Sequence, residues 1–307
     1  MSKQLIPELS YLDIKDGNKE ALEELKNALT EYGFFSITNH GLDTDLLASS
    51  YEFSKKFFDL PVEEKSKYAF PQNAGARGYT PFGKETALGE VTPDQKEFWH
   101  HGPNIDASYD SRIHANIDVS EIDEFNKNFD ELFVAINSLG IDVLKIIALL
   151  LNKDSNFFEP WVAKGNSLLR LIHYPPVTSE SNNLRARAHE DINLITLLVG
   201  AEESGLEVKS KKGDWVPIKA STNAIVCNIG DMMQLVTDGM LLSTTHRVIN
   251  YSESKSKSRY SMPFFLHPAP NIMLKSIFDK DDQGVLADDF LNCLLYTSPS
   301  PRDHQPA

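Results

Sequence analysis

Apolar residues recur every three or four positions in three stretches of the first half of the chain, and this spacing predicts amphipathic helices. The first helix is predicted over residues 18–33, and its apolar pattern stops at a glycine that suits a helix end. The second is predicted over about residues 45–58 and the third, much longer, over about residues 120–151. Ser120 is the predicted cap of this long helix, and Gly140 is its predicted break.

The pattern changes between about residues 167 and 268, where short apolar runs alternate with turn signals. Many short strands at this spacing are typical of an antiparallel sandwich or barrel. Residues 33–39 predict one more strand near the amino terminus, and residues 70–104, rich in Gly, Pro and polar groups, predict a long ordered loop. The strand-like runs are residues 167–174, 192–199, 205–210, 215–219, 223–228, 232–236, 245–250 and 259–266. The pattern therefore predicts a mainly β fold with flanking helices.

Composition narrows the class of protein without identifying it. Hydrophobic residues make up 41% and charged residues 24% of the 307 positions, as in an ordinary soluble globular protein. The net charge of −14 argues against nucleic acid or an anionic membrane as a partner. No signal peptide is evident, and the most apolar run, Ile146–Leu151, is too short to span a bilayer. Cys227 and Cys293 are predicted to be buried thiols, so a cytoplasmic location is expected.

Three residues carry candidate metal chemistry. His189 and Asp191 are two positions apart, so on a strand they share a face, and His246 follows far along the chain. Two imidazoles and one carboxylate on one face of an octahedral ion suit iron(II) and leave positions open for reactants. The same set also suits zinc, which leaves a hydrolase open. Because the chain has 9 His and 44 acidic residues, a His-x-Asp pair alone is weak evidence.

A candidate anion site lies further along the chain. Arg259 and Ser261 share a strand face, and an arginine inside a barrel is costly unless it meets an anion. A guanidinium beside a hydroxyl is well suited to hold a carboxylate, and Tyr174 offers another hydroxyl. The alternative is that Arg259 makes a structural ion pair.

Four residues are candidates for a substrate pocket. Arg170 shares a strand face with Tyr174, and Phe265 shares the face of Arg259. Arg77 and Tyr79 lie in the predicted loop and are candidates for contact with a polar substrate. The alternatives are a salt bridge for Arg170, core packing for Phe265 and solvation for the two loop residues. The neighbouring histidines 100 and 101 point apart in any regular element and are not expected to bind one metal.

These motifs stand in an order that resembles the isopenicillin-N-synthase-like family of iron(II)/2-oxoglutarate dioxygenases. The order is His-x-Asp, then His-Arg-Val, then Arg-x-Ser. The resemblance covers about residues 5–292 and departs near the carboxyl terminus. Further blocks that match the family are Tyr32–Gly41, Gly78–Pro81, Asp94–Phe98, Tyr174–Pro176 and Asn228–Asp231.

The resemblance implies a double-stranded β-helix (jelly roll) core with an α-rich amino-terminal region. It implies that His189, Asp191 and His246 bind Fe(II), that Arg259 and Ser261 bind the distal carboxylate of 2-oxoglutarate, and that Tyr174 contacts the co-substrate. The implied enzyme converts 2-oxoglutarate and O2 to succinate and CO2 while it hydroxylates, desaturates or cyclises a small organic substrate. A monomer or weak homodimer is expected, with neither nucleic acid nor membrane as a partner.

The organisation expected along the chain has four parts. Residues 1–105 form the amino-terminal dioxygenase-type region, 106–165 the helical support, 166–270 the catalytic core and 271–307 the carboxyl-terminal segment. Residues from about 293 to 307 are expected to be non-native or disordered, because a Ser- and Pro-rich tail interrupts a final helix. Two alternatives in function stay open: an iron(II) oxidase of the same fold that does not use 2-oxoglutarate, and a non-catalytic jelly-roll binding module.

Overall fold

Helices gather in the first half of the chain and strands in the second, as the hydrophobic pattern predicts. The computed structural model describes residues 6–70, 76–84, 96–176, 184–199, 205–249 and 257–297. The helices are α1 (Tyr11–Lys15), α2 (Lys19–Glu31), α3 (Thr44–Phe58), α4 (Val62–Ser66), α5 (Phe125–Leu150), α6 (Glu159–Val162), α7 (Asp231–Val236) and α8 (Ala287–Thr297). The strands are β1 (Glu8–Ser10), β2 (Phe34–Thr38), β3 (Gly78–Thr80), β4 (Glu97–His101), β5 (Leu168–Tyr174), β6 (Leu184–His189), β7 (Ile195–Val199), β8 (Leu206–Lys209), β9 (Trp215–Pro217), β10 (Ile225–Ile229), β11 (His246–Ile249), β12 (Arg259–Leu266), β13 (Met273–Leu274) and β14 (Val285–Leu286).

Two sheets face each other and enclose the site. Among the described residues, the larger sheet has the order β1-β2-β10-β7-β12-β5-β4-β3 and the smaller one β6-β11-β8-β9. Apolar side chains of both sheets meet in one cluster, which includes Phe34 and Val226 from the larger sheet and Ala186, Val208 and Val248 from the smaller. The described strands pair in antiparallel fashion except for β1 and β2, and the packing of the two sheets confirms the predicted jelly-roll core.

A layer of helices covers the outer face of the larger sheet. Its centre is α5, whose phenylalanines 125, 129 and 133 are buried, and Phe133 meets Phe264 of β12 edge to face at 5.1 Å. The predicted break at Gly140 is wrong: a Cβ there would lie 3.2 Å from a methyl carbon of Leu266, so this glycine lets the continuous helix lie close to the sheet. The predicted cap is also wrong, because Ser120 bonds to Tyr68 and the helix starts after Glu124.

Several strand predictions are corrected by the structure. Residues 232–236 lie in helix α7, where burial of Met232, Met233 and Val236 suits one face of a helix as well as a buried strand. The run predicted to start at residue 192 becomes a strand only at Ile195, and the sequence pattern missed β6. Part of the predicted loop over residues 70–104 forms β3 and β4, which extend the larger sheet. Residues 71–75 and 85–95 of this predicted loop lie outside the described residues.

One described helix, α5, is long and apolar enough to cross a membrane by length and composition. More than half of its apolar window is buried inside the protein, and the core helix of a folded domain passes the same test. The cysteines differ from the prediction: Cys227 is buried as expected, whereas Cys293 is exposed. The predicted final helix is α8, while residues 298–307 lie outside the described part of the chain.

Candidate metal centre

The three predicted metal ligands meet at one end of the smaller sheet. Strand β6 ends at His189, and β11 begins at His246 directly opposite it in the antiparallel register. Asp191 lies two residues beyond the end of β6, so it reaches the same place from the connecting loop and not, as predicted, from the strand face. Nε2 of each histidine is 3.8 Å from Oδ1 of Asp191, and the three ligand atoms all lie within 4.8 Å of one another. All three residues are buried.

Backbone carbonyls orient both imidazoles. Nδ1 of His189 is 2.6 Å from the oxygen of Arg187, and Nδ1 of His246 is 3.1 Å from the oxygen of Thr244. A carbonyl oxygen only accepts, so each Nδ1 carries the proton and each Nε2 presents its lone pair toward Asp191. A hydrogen bond of this kind fixes the ring and the tautomer that binds a metal.

The carboxylate of Asp191 is held through its other oxygen. Oγ1 of Thr196 and Nδ2 of Asn228 donate to Oδ2 at 2.6 and 2.9 Å, and Nδ2 of Asn193 donates to Oγ1 of Thr196 at 2.9 Å. Oδ1 is thereby directed at the two histidines. Sequence reasoning assigned no role to these three residues; the one available signal was the position of Asn228 at the start of a matching block.

The donor set suits a divalent ion. At 3.8 Å the imidazole nitrogens and the Asp191 oxygen are too far apart for hydrogen bonds, yet close enough to share one ion. Two neutral imidazoles and one buried carboxylate leave a negative charge that a cation would balance. Imidazole and carboxylate in this combination fit iron(II).

A cavity of about 400 Å³ lies beside the ligands and contains the predicted anion site. Arg259 and Ser261 of β12 line it together with Tyr174 of β5, and Arg259 and Tyr174 are opposite each other in register. The guanidinium carbon of Arg259 lies 5.6 Å from the centre of the Tyr174 ring. We call this space the Arg259 cavity; its other lining residues are Phe34, Ile172, Asp191, Thr196, Leu198, Leu206, Asn228, His246, Val248 and Pro263.

A second cavity of about 320 Å³ also touches Asp191. Arg170 and Phe265, both predicted for a substrate pocket, line it, and so does His267, which sequence reasoning missed. Burial lowers the pKa of His267 to about 4, so its imidazole is neutral near pH 7. We call this space the Arg170 cavity; its other lining residues are Leu168, Glu190 and Ile192.

Arg77 and Tyr79 lie outside both cavities. The Tyr79 hydroxyl donates to Glu97, and its ring packs on Phe57 at 5.8 Å, on the helical side of the larger sheet. Arg77 is buried and donates to the carbonyl oxygen of Ala76 and to the side chain of Asn166. The structure therefore does not bring these two residues to the metal ligands: Tyr79 of β3 faces the helices, and Arg77 lies just before that strand.

The adjacent histidines of β4 point apart, as predicted. Nε2 of His100 accepts a hydrogen bond from Nε of Arg170 at 2.6 Å, on the side of the metal ligands. His101 faces the helices, where its Nε2 lies 2.8 Å from Oδ1 of Asp130. The side chains of His100 and His101 therefore lie on opposite faces of the sheet.

A buried ionic network supports the Arg259 cavity from the helical side. Glu97 accepts hydrogen bonds from Nζ of Lys65 at 2.8 Å and from Tyr79, and Nδ1 of His173 lies 2.8 Å from its other oxygen. The ring of His173 stacks on Tyr260 with centres 4.8 Å apart. His173 precedes Tyr174, and Tyr260 stands between Arg259 and Ser261, so the network fixes the strands that carry those residues.

Comparison with known families gives two matches that together cover most of the chain. Residues 165–268 match the 2OG-Fe(II) oxygenase superfamily. Residues 6–121 match the family of the non-haem dioxygenase in morphine synthesis N-terminal region. The first match contains all three candidate ligands and the arginine–serine pair.

Similar proteins of known name or structure agree with these matches. The chain is 33% identical to a 2-oxoglutarate-dependent dioxygenase of Didymella fabae, over 89% of this chain and 86% of that protein. A crystal structure of a 2OG-Fe(II) oxygenase family protein from Caulobacter crescentus is 39% identical, with a TM-score of 0.88, and the alignment covers 95% of this chain and 98% of that one. A full-length Neurospora crassa protein, crystallised in complex with alpha-KG and thymine, is 26% identical, with a TM-score of 0.83 over 94% of this chain and 96% of that one.

Proposed function

Since the chain belongs to the 2OG-Fe(II) oxygenase superfamily, we propose that His189, Asp191 and His246 hold its iron(II) and that the enzyme hydroxylates a small organic molecule. The protein is an iron(II)- and 2-oxoglutarate-dependent dioxygenase. Bound iron(II), 2-oxoglutarate and O2 supply the oxidising chemistry, which releases succinate and CO2. One oxygen atom of O2 enters succinate, and the other enters a C–H bond of the substrate as a hydroxyl group.

One observation carries the assignment of the site residues. The metal ligands Asp191 and His246 line the same cavity as Arg259, Ser261 and Tyr174. A dicarboxylic acid that chelates the ion with one end can therefore extend its other carboxylate to a guanidinium and a hydroxyl. The arginine supplies a bidentate fork, and the serine adds a donor with adjustable direction.

The other groups at the site position the metal ligands and line the cavity. Thr196 and Asn228 hold one oxygen of Asp191, which leaves the other directed at the metal position. The backbone oxygens of Arg187 and Thr244 keep the histidines in the tautomer that binds. Phe34, Leu198 and Val248 give the Arg259 cavity apolar walls, and an apolar environment strengthens the interaction between its guanidinium and an anion.

The experiment measures succinate formation and O2 consumption by the purified enzyme with iron(II), with and without 2-oxoglutarate. Succinate that requires both iron(II) and 2-oxoglutarate, and that falls to background in His246→Ala, supports the ligand assignment. His114→Ala is the matched control because His114 is exposed and lies far along the chain from the site. O2 consumption that does not need 2-oxoglutarate would favour the alternative oxidase, and zinc-dependent hydrolysis without O2 consumption would overturn the proposal.

A cytoplasmic location and a monomeric or weakly dimeric state stay predictions. Gel filtration with light scattering measures the oligomeric state directly.

A further inference from the structure

The imidazole of His173, on β5, joins two other segments of the larger sheet. Its Nδ1 lies 2.8 Å from Oε1 of Glu97 on β4, and its Nε2 lies 3.0 Å from Oγ of Ser258, the residue before β12. A carboxylate only accepts hydrogen bonds, so Nδ1 carries a proton and Nε2 of the neutral ring accepts from the hydroxyl of Ser258. Both ring nitrogens are therefore used, and they connect β4 to the start of β12.

Two aromatic rings fix the plane of this imidazole. The ring stacks on Tyr260 with centres 4.8 Å apart and planes 12° apart, and the ring of Phe58 from α3 lies 5.5 Å away. Glu97 is itself held by Nζ of Lys65 at 2.8 Å. With these contacts the imidazole has little freedom to move, so it is a rigid anchor for Ser258.

The part of β12 that follows Ser258 has a neighbouring strand on one side only, within the residues that the structure describes. Its pairing with β5 begins at Arg259, opposite Tyr174, whereas its pairing with β7 begins at Met262. The end of a strand with few backbone partners opens more easily than the centre of a sheet. A side-chain hydrogen bond at Ser258 therefore stabilises the place where the strand needs it.

We propose that His173 is a positioning residue for co-substrate binding, which holds Ser258 so that Arg259 stays directed into its cavity. His173 and Tyr260 are paired in register and lie on the face of the sheet opposite Arg259, so His173 acts through the backbone and does not touch the co-substrate. The inference rests on the proposed function, because it requires that Arg259 binds 2-oxoglutarate. If the anchor is lost, a smaller fraction of molecules can bind, and the apparent affinity falls by that fraction.

Three variants separate the hydrogen bond from the packing. His173→Phe keeps an aromatic ring against Tyr260 and Phe58 but removes both hydrogen bonds. Ser258→Ala removes only the hydroxyl that bonds to Nε2. His173→Gln places an amide near the position of Nε2 and can accept the hydrogen bond from Ser258 again.

His40→Phe is the matched control. The imidazole of His40 is also half-buried, and its two nitrogens bond to the backbone of Asn223 and Leu42. His40 follows the end of β2 that is remote from Phe34, the residue of this strand that lines the Arg259 cavity. Loss of this imidazole should leave the KM for 2-oxoglutarate unchanged.

We expect His173→Phe and Ser258→Ala each to raise the KM for 2-oxoglutarate about 2- to 5-fold, the size set by one hydrogen bond. The kcat at saturation and the iron(II) affinity should not change. The double variant should raise the KM no more than His173→Phe alone, because both substitutions remove the same contact. His173→Gln should have a KM closer to that of the wild type. Steady-state succinate assays and anaerobic iron(II) titration give these values.

A second measurement does not depend on activity. In the metal-free protein, nitrogen NMR of the imidazole should show that Ser258→Ala shifts the Nε2 resonance of His173 and leaves that of His40 in place. A resonance of His173 that does not move would overturn the inference, because the hydrogen bond would then be absent in solution.

Four kinetic results would also overturn it: an unchanged KM in either His173→Phe or Ser258→Ala, an equal rise in His40→Phe, multiplied effects in the double variant, or no recovery in His173→Gln. The proposed function fails separately, because it requires that Arg259→Leu raises the KM for 2-oxoglutarate whatever the substitutions at His173 do.

Discussion

Oγ1 of Thr196 lies 2.6 Å from Oδ2 of Asp191, and this contact fixes the carboxylate whose other oxygen faces both histidines. Thr196 in turn accepts a hydrogen bond from Asn193. The position of the candidate metal ligand therefore depends on a strand of the larger sheet, although both histidines belong to the smaller one.

Removal of the hydrogen bonds to Asp191 should weaken metal binding. We expect Thr196→Val and Asn228→Ala each to lower iron(II) affinity about 10- to 100-fold, because hydrogen-bond partners of metal ligands typically have effects of this size. Anaerobic titration with iron(II) measures the change. Thr237→Val is the matched control, since that buried hydroxyl bonds to the backbone oxygen of Met233, outside the site. Unchanged affinity in both site variants would contradict the proposed role of the contacts.

Ser261 should contribute less than Arg259 to the binding of 2-oxoglutarate. We expect Ser261→Ala to raise the KM for 2-oxoglutarate about 3- to 10-fold, the loss of one hydrogen bond, with kcat unchanged at saturation. Arg259→Leu should raise the KM by about 100-fold or more because the charge is lost as well. Steady-state succinate assays give both constants, and Ser276→Ala, a buried serine bonded to Asp238, is the control. An equal KM in wild type and Arg259→Leu would exclude the arginine from co-substrate binding.

Low pH should reduce the stability of the fold because it protonates Glu97. Burial raises the pKa of this carboxyl, but the hydrogen bonds from His173, Lys65 and Tyr79 lower it by more than burial raises it. The pKa of Glu97 therefore lies below its usual 4.5. A carboxyl with a depressed pKa stabilises the fold above its unfolded pKa, and this contribution is lost as the pH falls through the folded value.

Glu97→Gln should therefore be less stable by about 3 kcal/mol at neutral pH, where it leaves Lys65 buried without its charged partner. The difference in unfolding free energy between wild type and variant should shrink below about pH 4.5. Urea denaturation at a series of pH values measures it, with exposed Glu23→Gln as the control. A difference that grows on acidification would contradict the assignment.

Gly230 should not tolerate a side chain. A Cβ at this position would lie 2.1 Å from the backbone oxygen of Asn193 and 2.3 Å from its side-chain oxygen. We expect Gly230→Ala to displace Asn193, to disturb Thr196 and so to lower both the melting temperature and iron(II) affinity. Gly239→Ala is the control: its φ of +74° makes alanine cost about 1 kcal/mol, but nothing lies within 4 Å of the new Cβ. Iron(II) affinity lowered equally in both variants would attribute the effect to general destabilisation.

The sequence predicts those parts of the site that follow from alternation along a strand. Arg259 and Ser261 share a face of β12, and both line the cavity as the period of two requires. By the same count Arg170 shares a face with Tyr174 and Phe265 shares one with Arg259, and both residues line the second cavity.

Residues whose role depends on pairing between distant strands were not predictable in this way. Thr196 and Asn228 reach Asp191 because β7 and β10 are neighbours in the larger sheet, and no local pattern in the sequence records that pairing. The prediction that Tyr79 contacts a substrate had a different cause. The Gly- and Pro-rich composition around Tyr79 predicted a loop, whereas the residue lies in strand β3 and faces the helices.

The two cavities have Asp191 in common and, among the described lining residues, no other. Leu168 and Phe265 can consequently be randomised without altering any wall of the Arg259 cavity. For enzyme engineering, the proposed function divides the molecule into a constant half, the Arg259 cavity, which would hold the co-substrate, and a variable half, the Arg170 cavity, whose lining residues are candidates for selecting the molecule to be oxidised. Variant libraries with substitutions only in the variable half should change which substrates are oxidised. The variants should retain the dependence on 2-oxoglutarate.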